Sequence, residues 1–254
     1  MTVYELYQIL DGMYPRSLSC PWDNDGIMVC GDLSAEVRRV MLALDASQAA
    51  LDAAVREECQ VLLTHHPLLF RPLRSLVPDH LSGARTLTAL CGGVAVLSFH
   101  TRLDAGDGGV NDALACRLGL AVCGKFGDEE SPELGRLAEL PAPMTAEDFA
   151  KQVKEALGAD GVAVTGNVPV KRVALVGGDG KGFISAAKAA GADTLVTGAA
   201  GYNAALDAAE MGMNIIEAGH YHTEAPVLDT LSRICRESCG AECLFFDSNR
   251  TRFL

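Results

Sequence analysis

The sequence predicts an α/β protein built as two layered α/β domains, each a mostly parallel sheet covered by helices. Two observations predict this. Short apolar runs of strand length alternate with longer segments whose apolar residues recur at helical spacing, the order that builds parallel strands with crossover helices. The 254 residues, 49% hydrophobic and 21% charged, match an ordinary globular chain with room for one large core or two modest ones.

In chain order, Val3, Leu6, Ile9, Leu10 and Met13 mark a helix over 2–14, which Pro15 stops. Residues 20–27 (Cys-Pro-Trp-Asp-Asn-Asp-Gly-Ile) read as a loop holding the only tryptophan, Trp22. Val37 to Leu44 reads as a strand, and Asp45-Ala46-Ser47 hands over to a helix through about Cys59. Val61 to Thr64 is the next strand, Leu81 to Leu90 a helix, and Val94 to Phe99 a short buried strand. A glycine-rich loop (Gly106, Gly108, Gly109) leads into a helix over Val110 to Leu118. Between Gly124 and Gly135 the composition turns polar, which places the domain junction there and divides the chain into 1–125 and 126–254. Beyond it, strands are expected at Leu134 to Leu140, Val162 to Thr165, Val173 to Val176, Thr194 to Thr197, Met213 to Glu217 and Glu242 to Phe246. Helices are expected at Ala146 to Leu157, Phe183 to Ala190, Tyr202 to Met211 and from Pro226 to about Ser238.

The totals exclude several function classes. A formal net charge of -12 offers no concentrated basic field for a nucleic-acid duplex or an anionic membrane surface. No run is long and apolar enough to span a bilayer. Glu5 stands where a secretion signal would be basic, and nine cysteines without a C-x-x-C pair read as reduced thiols, so a cytoplasmic protein is expected. Cys235, Cys239 and Cys243 recur every four residues, as soft-metal ligands can, but Gly240 ends the helix between them and buried structural thiols are the better reading.

Three motifs carry chemistry. In Val61-Leu-Leu-Thr-His65-His66-Pro67 a buried strand ends in two histidines, and Pro67 holds His66 extended, so both rings can address one crevice at the strand's end. The bland alternative is one ring capping the strand and the other facing solvent. His100-Thr-Arg-Leu-Asp104 puts an imidazole and a carboxylate just past the next strand, a pairing that suits zinc, iron, manganese or cobalt, although Asp in such a loop equally caps a turn. Gly219-His220-Tyr221-His222-Thr223-Glu224 lies between a strand and a helix, where His220 and Glu224, four apart, can converge on one ion. A helix start favours Glu in any case, and His222 reads equally as a surface residue. Five of the six histidines fall in these motifs, with only His80 outside, and that concentration points to a shared metal site. The glycine loop 177–182 lacks both the P-loop and the G-x-G-x-x-G spacing and reads as a tight strand-to-helix turn. There is no G-x-S-x-G, and nucleophilic catalysis is discounted.

Taken in order, Trp22-Asp-Asn-Asp-Gly26, Thr64-His-His-Pro67, His100-Thr-x-Leu-Asp104, Gly109-x-Asn111 and Gly219-His-x-x-Thr-Glu224 resemble one family over nearly the whole chain. It is the NGG-interacting-factor-like dinuclear metal proteins, often labelled GTP cyclohydrolase I type 2 homologues, and the chain is similar to its short form without an inserted middle domain. The resemblance implies two divalent metal ions (zinc, manganese, iron, cobalt or nickel) in a cleft between the two domains. It implies His65, His66, Asp104, His220 and Glu224 as ligands, with Glu224 bridging and His100 beside the site. It also implies a toroidal homohexamer, a trimer of dimers. Departures are Ala199 after Thr197-Gly198 where an acidic residue is usual, Asn203 where many members have His, and His222 in place of a small residue. The expected function is a metal-dependent hydrolase of the cyclohydrolase or phosphoesterase kind, acting on a nucleotide or phosphate-bearing small molecule, with His100 or His222 transferring protons. The rival expectation is a non-enzymatic metal-storage, metal-delivery or regulatory protein.

Overall fold

The structure, a computed structural model, describes residues 1–131 and 133–251; Pro132, inside the expected junction, and the last three residues lie outside the described residues. In chain order the elements are α1 (Val3–Met13), β1 (Gly26–Val29), β2 (Arg39–Asp45), α2 (Gln48–Arg56), β3 (Val61–His66), α3 (Leu81–Cys91), β4 (Ala95–Ser98), α4 (Thr101–Ala105), α5 (Val110–Arg117), β5 (Val122–Phe126), β6 (Gly135–Met144), α6 (Ala146–Leu157), β7 (Ala163–Thr165), β8 (Val170–Asp179), α7 (Ile184–Ala189), β9 (Thr194–Ala199), α8 (Tyr202–Glu210), β10 (Asn214–Glu217), α9 (His220–Glu224), α10 (Val227–Cys239) and β11 (Glu242–Phe245). The fold is α/β, as expected. No helix among the described residues is long and apolar enough to cross a membrane.

The chain forms two compact units that are not consecutive halves: Met1–Leu103 with Leu228–Asn249, and Asp104–Val227 with Arg250 and Thr251. The expected division at residues 125 and 126 was drawn from a polar stretch. That stretch instead holds a hairpin inside the second unit, β5 pairing antiparallel with β6.

In the first unit the sheet order is β1-β4-β3-β2-β11. The pairs β4–β3, β3–β2 and β2–β11 are parallel, and only β1 runs antiparallel. The loop expected over 20–27 therefore gives way to a strand from Gly26, whose Gly26, Ile27 and Val29 pair with Ser98, Leu97 and Val96. Val40, Leu42, Leu62, Leu63, Val96 and Leu97 have almost no exposed surface, the burial expected of strands covered on both faces. Helix α1 starts with a capping box: Glu5 N donates to Thr2 Oγ1 at 3.2 Å, and Thr2 N donates to Glu5 Oε2 at 2.8 Å.

In the second unit the sheet order is β5-β6-β8-β9-β10-β7. This sheet is mixed rather than mostly parallel: β8–β9 and β9–β10 are parallel, whereas β5–β6, β6–β8 and β10–β7 are antiparallel. Its core packs Phe149, Val153 and Leu157 of α6 with Val173, Leu175, Val196 and Ile216. Helix α6 ends at Gly158 in the left-handed conformation.

Candidate metal centre

The site residues of the first unit stand where parallel strands end. β3 runs through His66, so His65 and His66 are both strand residues, yet their ring centroids are only 4.9 Å apart with planes at 46°. Strict alternation would send neighbouring side chains to opposite faces. Here the last strand residue sits before Pro67, and His66 turns its Nδ1 to Asp45, the last residue of β2, at 2.9 Å. His65 is buried, and its Nδ1 lies 2.9 Å from the Phe99 carbonyl oxygen just past β4. His100 follows immediately, its ring 5.2 Å from that of His65 and 5.7 Å from that of His66. Its Nδ1 lies 2.8 Å from Asp23 Oδ1.

These three contacts decide the tautomers. A carbonyl oxygen or a carboxylate can only accept, so each Nδ1 carries the hydrogen, and in the neutral ring each Nε2 carries the lone pair. An imidazole whose other nitrogen donates to a carbonyl or carboxylate is the arrangement found behind metal-ligating histidines. His65, His66 and His100 accordingly form a group whose donor atoms lie within 4.8 Å of one another and could hold a metal ion.

Asp23 is itself tightly held. Burial pushes its carboxyl up, but the hydrogen bond and charge of His100, joined by the hydroxyl and N–H of Thr101, outweigh burial and bring the carboxyl from 3.8 down to about 2. Asp25 accepts the His100 N–H at 3.1 Å and Arg102 Nε at 3.1 Å, and Arg16 closes a salt bridge onto its other oxygen. Two buried aspartates of the Trp22–Gly26 stretch thus anchor the segment carrying His100.

In the second unit His220 and Glu224 occupy one helical turn, α9, which follows β10 directly rather than lying at the entry of the long helix. One turn brings residues four apart together, and His220 Nε2 stands 3.2 Å from Glu224 Oε2. Glu224 is buried. The floor beneath it is glycine. A Cβ at Gly178 would lie 2.2 Å from Glu224 Oε1, and one at Gly198 would lie 2.6 Å from the His220 Cα. Thr223 Oγ1 accepts the Gly178 N–H at 3.1 Å, fixing α9 to the end of β8. The glycine loop is indeed a strand-to-helix turn, from β8 through a short 3-10 turn at Lys181–Phe183.

Asp104 sits in α4, nearly buried, and its carbonyl accepts from Asn111 Nδ2 at 3.3 Å. Asn111, fully buried, also donates to the Leu134 carbonyl at 2.9 Å and accepts the Gly177 N–H at 2.8 Å. Among the described residues, neither Asp104 nor His222 belongs to a cluster of metal-donor atoms; His222 lies edge-on to Tyr221 at 5.7 Å. The cysteine trio supplies no such cluster among the described residues either, and none of the nine cysteines is in a disulfide.

A family model described as Duf34/NIF3 (NGG1p interacting factor 3) matches residues 1–251. The chain belongs to this family. Curated relatives include a GTP cyclohydrolase 1 type 2 homolog of Clostridium perfringens, 32% identical over 99% of this chain and 98% of that protein. Another of the same name, from Pseudomonas aeruginosa, is 33% identical over 90% of this chain and 88% of its own length. Among solved structures, the Staphylococcus aureus hypothetical protein SA1388 superposes with a TM-score of 0.91 at 26% identity, covering 100% of this chain and 99% of that one. The sequence motifs picked out the NIF3 histidines but missed the groups behind them: Asp45, Asp23, Asp25 and the Phe99 carbonyl. The motif Trp22-Asp-Asn-Asp-Gly26 was the signal for two of these. In the sequence Asp45 marks only the handover from strand to helix, and nothing in a sequence marks a backbone carbonyl.

Proposed function

We propose that this NIF3-family chain holds two divalent metal ions and works as a metal-dependent hydrolase on a nucleotide or another phosphate-bearing small molecule. The observation that carries the reading is the shared tautomer of His65, His66 and His100, each with Nδ1 tied to an acceptor, in a group whose donor atoms lie within 4.8 Å of one another. The donor set of imidazole and carboxylate suits such ions. In this reading His65, His66, Asp104, His220 and Glu224 hold the pair of ions, as the family resemblance implies. The ions would supply Lewis acidity and make water acidic enough to attack near neutral pH. The protein's own part is to hold the imidazoles by Asp45, Asp23 and the Phe99 carbonyl, and to offer His100 and His222 for proton transfer. The name shared by the curated relatives supports a nucleotide as substrate. By the same resemblance we place the chain in a cytoplasmic, toroidal hexamer.

The test is the metal content per chain of anaerobically purified protein, beside a His65→Ala, Glu224→Ala double variant, followed by a screen of nucleotides and phosphoesters with and without chelator. About two ions per chain, lost in the variant, with chelator-sensitive turnover, is the expected result. Metal that survives the double change sinks the ligand assignment, and metal without turnover on any substrate favours storage or delivery.

A further inference from the structure

His100 also belongs to an aromatic surface whose other two rings, Trp22 and Phe70, carry no metal-ligating atom. Trp22 and Phe70 are 55% and 45% exposed, a costly placement for two of the largest apolar side chains. Their ring centroids are 6.1 Å apart with planes at 66°. His100 completes the group, 6.2 Å from Trp22 at 70° and 6.3 Å from Phe70 at 87°. The three rings meet edge to face, and none is stacked flat on another. The arrangement is also held in place. Asn24 Nδ2 donates to the Leu69 carbonyl at 2.5 Å, tying the Trp22 loop to the Phe70 loop. Asp23, next to Trp22, binds His100 and Thr101.

We propose that Trp22, Phe70 and His100 form a recognition subsite for a planar heteroaromatic ring of the purine class, beside the metal donors. Three features select this occupant. Ring faces set at steep angles bind a planar π-system through stacking on one ring and edge contacts with another, the contacts that nucleobase recognition uses. The rings are flanked by polar groups, the Asp23 carboxylate on His100 Nδ1 and the Asn24 amide on the Leu69 carbonyl, unlike the apolar centre of a protein interface. The net charge of -12 gives no general attraction for phosphate, so affinity for a nucleotide has to come from its ring and from bound metal. The inference rests on the hydrolase reading for its biological meaning, but ring binding itself needs no metal.

Trp22 is the only tryptophan, so its emission reports on this subsite alone. The full-length protein, chelator-treated and metal-loaded, is titrated with guanosine under excitation at the red edge of the indole band. Ribose 5-phosphate serves as the ring-free control. Saturable quenching by guanosine in both metal states, absent with ribose 5-phosphate, is expected. Phe70→Ala, which keeps the reporter, should raise the dissociation constant about tenfold, the equivalent of about 1.4 kcal/mol. Trp22→Leu, followed by calorimetry, should do the same. No saturable change in either state, or a guanosine affinity indifferent to Phe70→Ala, overturns the subsite. So does emission that changes only with protein concentration, which assigns the patch to contact between copies of the chain. Quenching by protein that carries no metal as purified and takes up none on loading supports the subsite while removing the hydrolase reading; about two ions per chain without quenching does the reverse.

Discussion

Asp23 holds His100 from behind: its Oδ1 lies 2.8 Å from His100 Nδ1, while its Oδ2 accepts the Thr101 N–H at 3.0 Å and the Thr101 hydroxyl at 2.6 Å. One buried carboxylate therefore sets the orientation of an imidazole 77 residues away in sequence.

A pH dependence follows. The folded carboxyl titrates at about 2 against an ordinary 3.8. A depressed folded value means that the stabilisation is fully present above the unfolded value and is lost as pH falls from 3.8 toward 2. The shift corresponds to about 2 kcal/mol, roughly half of it gone by pH 3. Asp23→Asn should unfold more easily at neutral pH, and the gap from the parent should narrow in denaturant titrations as pH is lowered from 5 to 3. A gap independent of pH over that range would show that the carboxylate charge is not the source.

Gly178 governs the second donor pair. Its φ is +67°, a left-handed conformation that a side chain disfavours by about 1 kcal/mol, and a Cβ there would stand 2.2 Å from Glu224 Oε1 and 3.1 Å from His220 Nε2. Gly178→Ala should displace the Glu224 carboxylate and lower metal content while the far-ultraviolet dichroism of the fold persists. Gly182→Ala, where nothing lies within 4 Å, is the matched control and should leave metal content unchanged. Equal metal content in both variants would remove the pair from the ligand set.

Arg102 is fully buried. Its Nη1 reaches Asp11 Oδ1 at 2.5 Å and the Tyr14 carbonyl at 3.0 Å, its Nε reaches Asp25 at 3.1 Å, and its guanidinium lies 4.2 Å above the Phe99 ring. A lysine cannot reproduce the fork or the stacking. Arg102→Lys should destabilise the protein by about 2–4 kcal/mol, because a broken buried pair strands its partner's charge. It should also weaken the Asp25 anchor on the His100 backbone. A denaturation free energy within about 0.5 kcal/mol of the parent would show that lysine serves equally well.

Much of the molecule was legible in the sequence because the signals are local. Runs such as Val61–Thr64 and helical spacing such as Val3, Leu6 and Leu10 act over a few residues, and β3 and α1 lie where they point. His65, His66 and His100 drew attention because chemistry collects at strand ends, and Gly240 marked the end of α10 through its preference for positive φ. Sheet membership was not legible. β1 joined the first sheet as an antiparallel edge, and β11 closed its other edge against β2 from more than 190 residues away. The polar stretch taken for a junction became the hairpin β5–β6, because edge strands need little apolar pattern to pair. The sequence by itself determined the α/β class, the order of the elements and which residue types stand at the strand ends. The tertiary structure alone decided which acceptor sits behind each imidazole, since Asp45 and the Phe99 carbonyl reach their histidines only when β2, β3 and β4 pair in register, and Asp23 reaches His100 only when β1 pairs with β4, a register set by packing across the whole sheet.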